Sequence, residues 1–157
     1  MKYTIYCDGS ARNNGYENAV GAWAYVVLDS NGEVVAKNCE AVRGATNQQM
    51  ELRAAIEAVE YVAYNHIVVP FDAIEVITDS AYLHNCYTQK WYRNWQLNGW
   101  VNSKKQPVAN RDLWEKLITW FESPEVTFTK TKGHANDKWN NVVDEMAQKA
   151  SLAMKEE

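Results

Sequence analysis

Four carboxylates in this 157-residue chain, Asp8, Glu51, Asp79 and Asp144, stand where folding alone explains them poorly. Asp8 closes YTIYCD, residues 3–8, whose alternation has the period of a β-strand. Asp79 follows a second strand-like run, AIEVIT at 73–78, bounded before it by Pro70 and Asp72. Glu51 lies one helical turn before Ala55 on a segment whose Ala55, Val59 and Val62 should face a core. Asp144 flanks Val143, Met146 and Ala147 at the margin of an apolar stripe in the last helical segment. Three of the four also have ordinary readings. Asp8 could open a turn, Asp79 could cap a following helix, and Asp144 could lie on a solvated flank. Glu51 is harder to dismiss, because a carboxylate taken out of water needs a cation or a proton.

Strand ends and helices packed on one sheet can bring these four groups together. Carboxylates gathered within a few ångströms repel unless a cation holds them. Asp and Glu supply hard oxygen donors suited to Mg²⁺ or Mn²⁺ and poorly matched to zinc. No His/Cys set with zinc spacing accompanies them. An all-carboxylate site open to substrate fits phosphoryl chemistry, in which two divalent ions about 4 Å apart activate water and stabilise the leaving oxygen.

The elements that must position these groups follow from periodicity and turn residues. AWAYVVL at 22–28 reads as a buried strand, and Asn31-Gly32 as a hairpin turn into a partner strand at 33–42. Residues 9–21 read as a loop, 47–65 as a helix, 80–98 as one or two helices and 102–110 as a loop. Asn110 is placed to cap a helix ending before Pro124, with a strand at 125–130 and a last helix at 140–154. The order β-β-β-α-β-α-α-β-α predicts an α/β fold. Its five-stranded mixed sheet has an antiparallel meander of the first three strands plus parallel fourth and fifth strands, flanked by helices. Ligands in such sheets gather near the carboxyl ends of strands.

The chain's length suits one domain spanning residues 1–157. Cys7, Cys39 and Cys86 are odd in number and scattered, which fits a reducing compartment better than a disulfide framework. There is no signal-peptide pattern and no apolar run of membrane-spanning length, so a soluble cytoplasmic protein is expected. The net charge of −4 argues against a general nucleic-acid binder, although local patches decide binding.

Five stretches in order carry a family resemblance: CDGS at 7–10, TNQQMELRAAI at 46–56, ITDSAY at 77–82, QPVANRDLW at 106–114, and TKGHA followed by NNVVDEMA between 131 and 147. Over about Tyr3 to Ala150 the chain resembles type 1 ribonuclease H, of the ribonuclease H-like superfamily. This resemblance implies an endoribonuclease that hydrolyses the RNA strand of RNA/DNA hybrids, leaving 5′-phosphate and 3′-hydroxyl ends, as in removal of RNA primers and R-loops. It implies that Asp8, Glu51, Asp79 and Asp144 bind two Mg²⁺ ions, with Mn²⁺ as a substitute. It gives His134 a part in proton transfer or product release; without it, a lone loop histidine reads as a surface residue. Gly9, Ser10, Asn14, Asn47 and Gln48 match RNA-strand contacts, although Asn47 could equally cap the helix carrying Glu51. Thr46 and Asn110 match a pocket for a DNA phosphate. The stretch KWYRNWQLNGW at 90–100 matches a helical handle along the DNA strand, with Trp91, Trp95 and Trp100 at the family spacing. Arg93, Lys104 and Lys105 supply cationic groups there. Trp91 and Trp95 are also one helical turn apart, so packing is the stronger reading for at least one of them.

Departures from the family pattern cluster at the DNA side. Gln96, Leu97 and Asn98 replace a basic run, and Ala109 stands where a lysine is common. Fewer neutralised phosphates imply weaker, less salt-dependent binding to the DNA strand. Asn13 replaces a glycine of the first loop, and Arg43 lies one residue from a phosphate-binding arginine of some members. With Asp8 so near the start, a free-standing monomer without a preceding hybrid-binding domain is expected. The competing readings are a resolvase- or integrase-type nuclease of the same superfamily, and a hybrid-binding module without catalysis.

Overall fold

The computed structural model describes residues 1–12, 18–65, 72–131 and 137–155. Its strands are β1 (Lys2–Arg12), β2 (Val20–Leu28), β3 (Val34–Arg43), β4 (Ala73–Thr78) and β5 (Val126–Lys130). Its helices are α1 (Asn47–Asn65), α2 (Ala81–Gln89), α3 (Trp91–Asn98), α4 (Arg111–Phe121) and α5 (Lys138–Lys155). The sheet order is β3-β2-β1-β4-β5. β1 pairs with β2, and β2 with β3, antiparallel; β1 with β4, and β4 with β5, are parallel. The predicted mixed sheet is therefore the observed one.

Three differences from the sequence expectation bear on the architecture; the other element ends agree to within one or two residues. β1 runs past Asp8 to Arg12, because Asp8 to Arg12 pair with Ala24 to Val20 of β2. The expected loop at 9–21 is correspondingly shorter. The segment 80–98 is two helices, since Lys90 adopts a left-handed backbone (φ 55°) that ends α2 and precedes α3. This adds one helix to the predicted order. α5 begins at Lys138, earlier than the expected 140, where Asp137 Oδ1 accepts a hydrogen bond from the Asn140 amide at 3.2 Å.

The sheet is covered on both faces, which is why every residue of β2 is buried. On one face Tyr3, Ile5 and Cys7 pack with Leu52, Ala55, Val59 and Val62 of α1. On the other, Ala22, Ala24 and Val26 pack with Val143 and Ala147 of α5, with Tyr6 alongside. Successive side chains of a strand alternate faces. Cys7 and Gly9 thus belong to the α1 side, and Tyr6 and Asp8 to the α5 side. Among the described residues, no helix is long and apolar enough to cross a membrane.

Candidate active site

The last parallel pair between β1 and β4 is Cys7 with Thr78. The next residue on each strand is an aspartate, so Asp8 and Asp79 emerge together at the carboxyl end of β4. Asp8 remains within the sheet and is only 7% exposed, whereas Asp79 is exposed. Burial raises the Asp8 carboxyl to about 9, helped by the charge of Asp79 and by a hydrogen bond and charge from Asp144; the Gly9 amide opposes the shift. Asp144 reaches this point because Val143 and Ala147, its neighbours on α5, are anchored on the same sheet face. Its Oδ2 accepts a 3.0 Å bond from Gln148 Nε2, one turn later.

Glu51 arrives from the opposite face. Its helix begins with a reciprocal cap: Thr46 Oγ1 accepts from the Gln49 amide at 3.2 Å, and Gln49 Oε1 accepts from the Thr46 amide at 3.0 Å. Thr-x-x-Gln is a capping-box pattern, legible in residues 46–49. Asn47 is therefore not the cap; its Oδ1 accepts a hydrogen bond from the Ala11 amide of β1. This first turn of α1 lies directly on Gly9. A Cβ there would sit 2.1 Å from the Met50 carbonyl carbon and 2.5 Å from the Glu51 nitrogen. Only a residue without a side chain lets the helix bring Glu51 so close to β1.

Burial raises the Glu51 carboxyl, the Ser80 hydrogen bond opposes that, and the Asp79 charge adds to it. Asp79 thus acts electrostatically on both Asp8 and Glu51. Carboxylates from the two sheet faces meet around the end of β4. Desolvated oxygens of like charge are a donor set that a hard divalent cation would relieve. Among the described residues, no three His, Cys, Asp or Glu side chains already stand closely enough to enclose an ion. Cys7, beside this cluster, is unsuited as a ligand or nucleophile: burial, then the Asp8 and Asp79 charges, raise its thiol far above the usual range.

The capping role that the sequence left open to Asp79 belongs to Ser80, whose Oγ accepts from the Leu83 amide at 3.1 Å. Ser80 also bonds Glu51 Oε2 at 2.8 Å, a role sequence reasoning missed. Its only signal is a hydroxyl residue between Asp79 and a helical segment. Asn110 holds the position before α4 but makes no side-chain cap bond; its backbone is left-handed, with φ 62°. Tyr82 lies in the same groove as Asn110; burial raises its phenol, opposed first by the Trp114 bond and then by the Asn110 side chain. Trp114 Nε1 donates to Tyr82 Oη at 3.1 Å. Tyr82 is a second groove residue the sequence reading did not single out.

Thr46, Asn47, Gln48, Glu51, Asp79, Ser80, Tyr82 and Asn110 line one open groove of about 580 Å³. The two polar sets assigned to different strands therefore flank the acidic end of β4. Gly9 is buried beneath α1, and Ser10 is half-buried further along β1. Asn14 and His134 lie outside the described residues. The handle residues form a separate region. Trp95 packs against Trp91, Trp100 and Trp114, with ring centroids 6.4, 5.7 and 5.6 Å apart, so its ring ties α3 to the core. Trp91 is partly buried, and its Nε1 donates to Gln89 Oε1 at 2.9 Å. Arg93, Lys104 and Lys105 are exposed, with the lysines in a turn whose amides of Lys104 and Gln106 donate to Asn102 Oδ1. Leu97 is 87% exposed.

The profile of the RNase H family matches residues 1–152. The ribonuclease H of Clostridium botulinum is 40% identical over 149 residues, covering 95% of each chain. That of Syntrophomonas wolfei is also 40% identical, over 146 residues and 93% of each chain. Among solved structures, a foamy viral protease-reverse transcriptase in complex with double-stranded DNA superposes with a TM-score of 0.79 at 20% identity, covering 96% of this chain and 94% of that one. LC9-RNase H1, a type 1 RNase H with the type 2 active-site motif, superposes with a TM-score of 0.77 at 22% identity, covering 97% and 72%. By sequence match over nearly its whole length, the chain belongs to the ribonuclease H family.

Proposed function

We infer that the protein is an endoribonuclease acting on the RNA strand of RNA/DNA hybrids, with Asp8, Glu51, Asp79 and Asp144 as the residues that hold two divalent ions, Mg²⁺ or Mn²⁺. The observation that carries the site assignment is the Cys7–Thr78 register, which brings Asp8 and Asp79 out together, with Glu51 tied by Ser80 to the residue after Asp79. When bound, such ions supply a water nucleophile at neutral pH and stabilise the leaving oxygen. The chain's own part is to bring four carboxylates to the end of one strand from opposite sheet faces. It also keeps a polar groove beside them.

Asn47 and Gln48 are the groove residues suited to the RNA strand, with Gly9, Ser10 and Asn14. Short polar groups can read a 2′-hydroxyl, the feature that separates RNA from DNA. Asn110 and Thr46 are suited to a phosphate of the opposing strand, and both line the groove with Tyr82. Arg93, Lys104 and Lys105, with Trp91 and Trp95, extend that contact along the DNA strand. His134 is the group suited to moving a proton near pH 7. The protein would work in the cytoplasm as a single-domain monomer.

The test is incubation with labelled RNA/DNA hybrid, double-stranded DNA, double-stranded RNA and a four-way junction, with and without Mg²⁺. Asp8→Asn serves as the control. Cleavage of hybrid alone, dependent on Mg²⁺ and lost in Asp8→Asn, is expected. Cleavage of a junction or DNA duplex with hybrid intact overturns the substrate assignment. Binding without cleavage would favour a hybrid-binding module.

A further inference from the structure

Ser80 is 4% exposed, and every polar atom it presents is engaged. Its amide donates to Thr78 Oγ1 at 3.1 Å, which holds the bend at the end of β4. Its Oγ accepts the Leu83 amide at 3.1 Å, one of the first donors of α2 that lack a partner within the helix. Its Oγ also lies 2.8 Å from Glu51 Oε2. A serine hydroxyl carries one proton. Toward an ionised Glu51, Ser80 can only be the donor, while its lone pair serves the helix amide. The two bonds therefore fix the direction of the hydroxyl without help from solvent.

We propose that Ser80 is a positioning residue that holds the Glu51 carboxylate ready for a divalent ion by donating to Oε2. The proposal rests on the metal-binding role given to these carboxylates above. A glutamate side chain has three rotatable bonds, and an ion that must order it loses part of its binding energy to that ordering. The buried bond to Ser80 orders it beforehand. It also ties the first turns of α1 to the residue following Asp79, so two carboxylates borne on different elements share one brace. Removing a group that orients a metal ligand typically costs about 10- to 100-fold in metal affinity.

The experiment measures Mn²⁺ binding through the electron paramagnetic resonance signal of free Mn²⁺. The chains compared are wild type, Ser80→Ala, Ser80→Thr, Glu51→Gln, the double variant Ser80→Ala/Glu51→Gln, and Asp8→Asn. Thermal unfolding and steady-state cleavage of hybrid accompany each. Ser80→Ala should weaken Mn²⁺ binding about 10-fold. Threonine, which both caps and donates, should restore affinity to within about twofold of wild type. In the Glu51→Gln background the Ser80→Ala change should shrink to about twofold or less, because the two residues act as one unit. KM for hybrid should stay near the wild-type value while kcat at limiting metal falls.

A merely structural Ser80 would weaken Mn²⁺ binding equally in both backgrounds, and that result overturns the proposal, as does unchanged affinity in Ser80→Ala. If Ser80→Ala folds poorly, Ser80→Gly replaces it, since glycine at an N-cap costs little yet donates nothing to Glu51. Wild type and Asp8→Asn binding Mn²⁺ alike would instead overturn the site assignment on which this inference rests.

Discussion

Gly9 lies directly under the carbonyl of Met50: the space a Cβ would need at residue 9 is taken by the backbone of α1, 2.1 Å away. Gly9→Ala must therefore lift the first turn of α1, and with it Glu51. Overpacking of this kind costs about 1–3 kcal/mol. A shift of about 1 Å at a reacting group can cost on the order of 100-fold in rate. The expected outcome is a lower urea midpoint and a larger fall in kcat than in KM. Gly21→Ala is the comparison. Its Cβ would meet Met50 Cγ at 2.7 Å and Ala45 Cβ at 2.8 Å, side-chain atoms rather than helix backbone. It should lose stability with less loss of kcat.

Asp8 makes the metal-free protein sensitive to pH. Its carboxyl is raised from 3.8 to about 9, by burial first and then by Asp79 and Asp144. Between those values the native state keeps a proton that the unfolded chain has released. The unfolded state then binds fewer protons, so stability falls as pH rises through this window. In chelator, the wild-type Tm should drop from pH 5 to pH 9. Asp8→Asn should flatten the profile and gain several degrees at the alkaline end. Mg²⁺ should raise the wild-type Tm most at high pH, where the carboxylates are ionised. An Asp8→Asn profile parallel to wild type would contradict this.

The capping box of α1 sets the stability of the helix that carries Glu51. Thr46→Ala removes the acceptor for the Gln49 amide and should cost about 1 kcal/mol. Gln49→Leu removes the reciprocal bond to the Thr46 amide and should cost a similar or smaller amount. Thr46→Ser should be close to neutral in thermal unfolding. If Thr46 also contacts phosphate, only Thr46→Ala should raise KM for hybrid beyond what its stability loss explains.

The handle offers a gain-of-affinity test. Leu97 is 87% exposed, so Leu97→Lys should leave Tm unchanged. If α3 lies along the DNA strand, each added phosphate contact should steepen the dependence of log K on log salt by about 0.9. Leu97→Lys should then lower KM at low ionic strength. Conversely, Lys104→Ala with Lys105→Ala should raise KM more than it lowers kcat, because those contacts bind ground and transition states alike. A fall in kcat at constant KM would count against this placement.

Periodicity, turn residues and the misfit of Glu51 on an apolar helix face were enough to read the five strands and the mixed sheet, and to single out four carboxylates as candidates. These are local properties: alternation marks a strand, 3.6-residue spacing a helix, and a charged residue in either stripe stands out at once. What only the tertiary structure decided depends on partners distant in sequence. Continuation of β1 to Arg12 is set by its pairing with β2, since the polar run after Asp8 carries no strand period of its own. The break at Lys90 comes from a left-handed backbone at a residue type that does not announce one. The capping roles were likewise hidden: Asp79 and Ser80 are both good cap types before α2 and only packing selects Ser80, while Asn110 stands before α4 without a side-chain cap bond. Gly9 looks in the sequence like one more turn glycine. Its reason, a helix backbone resting on a strand, exists only once residues 9 and 50 have been folded together.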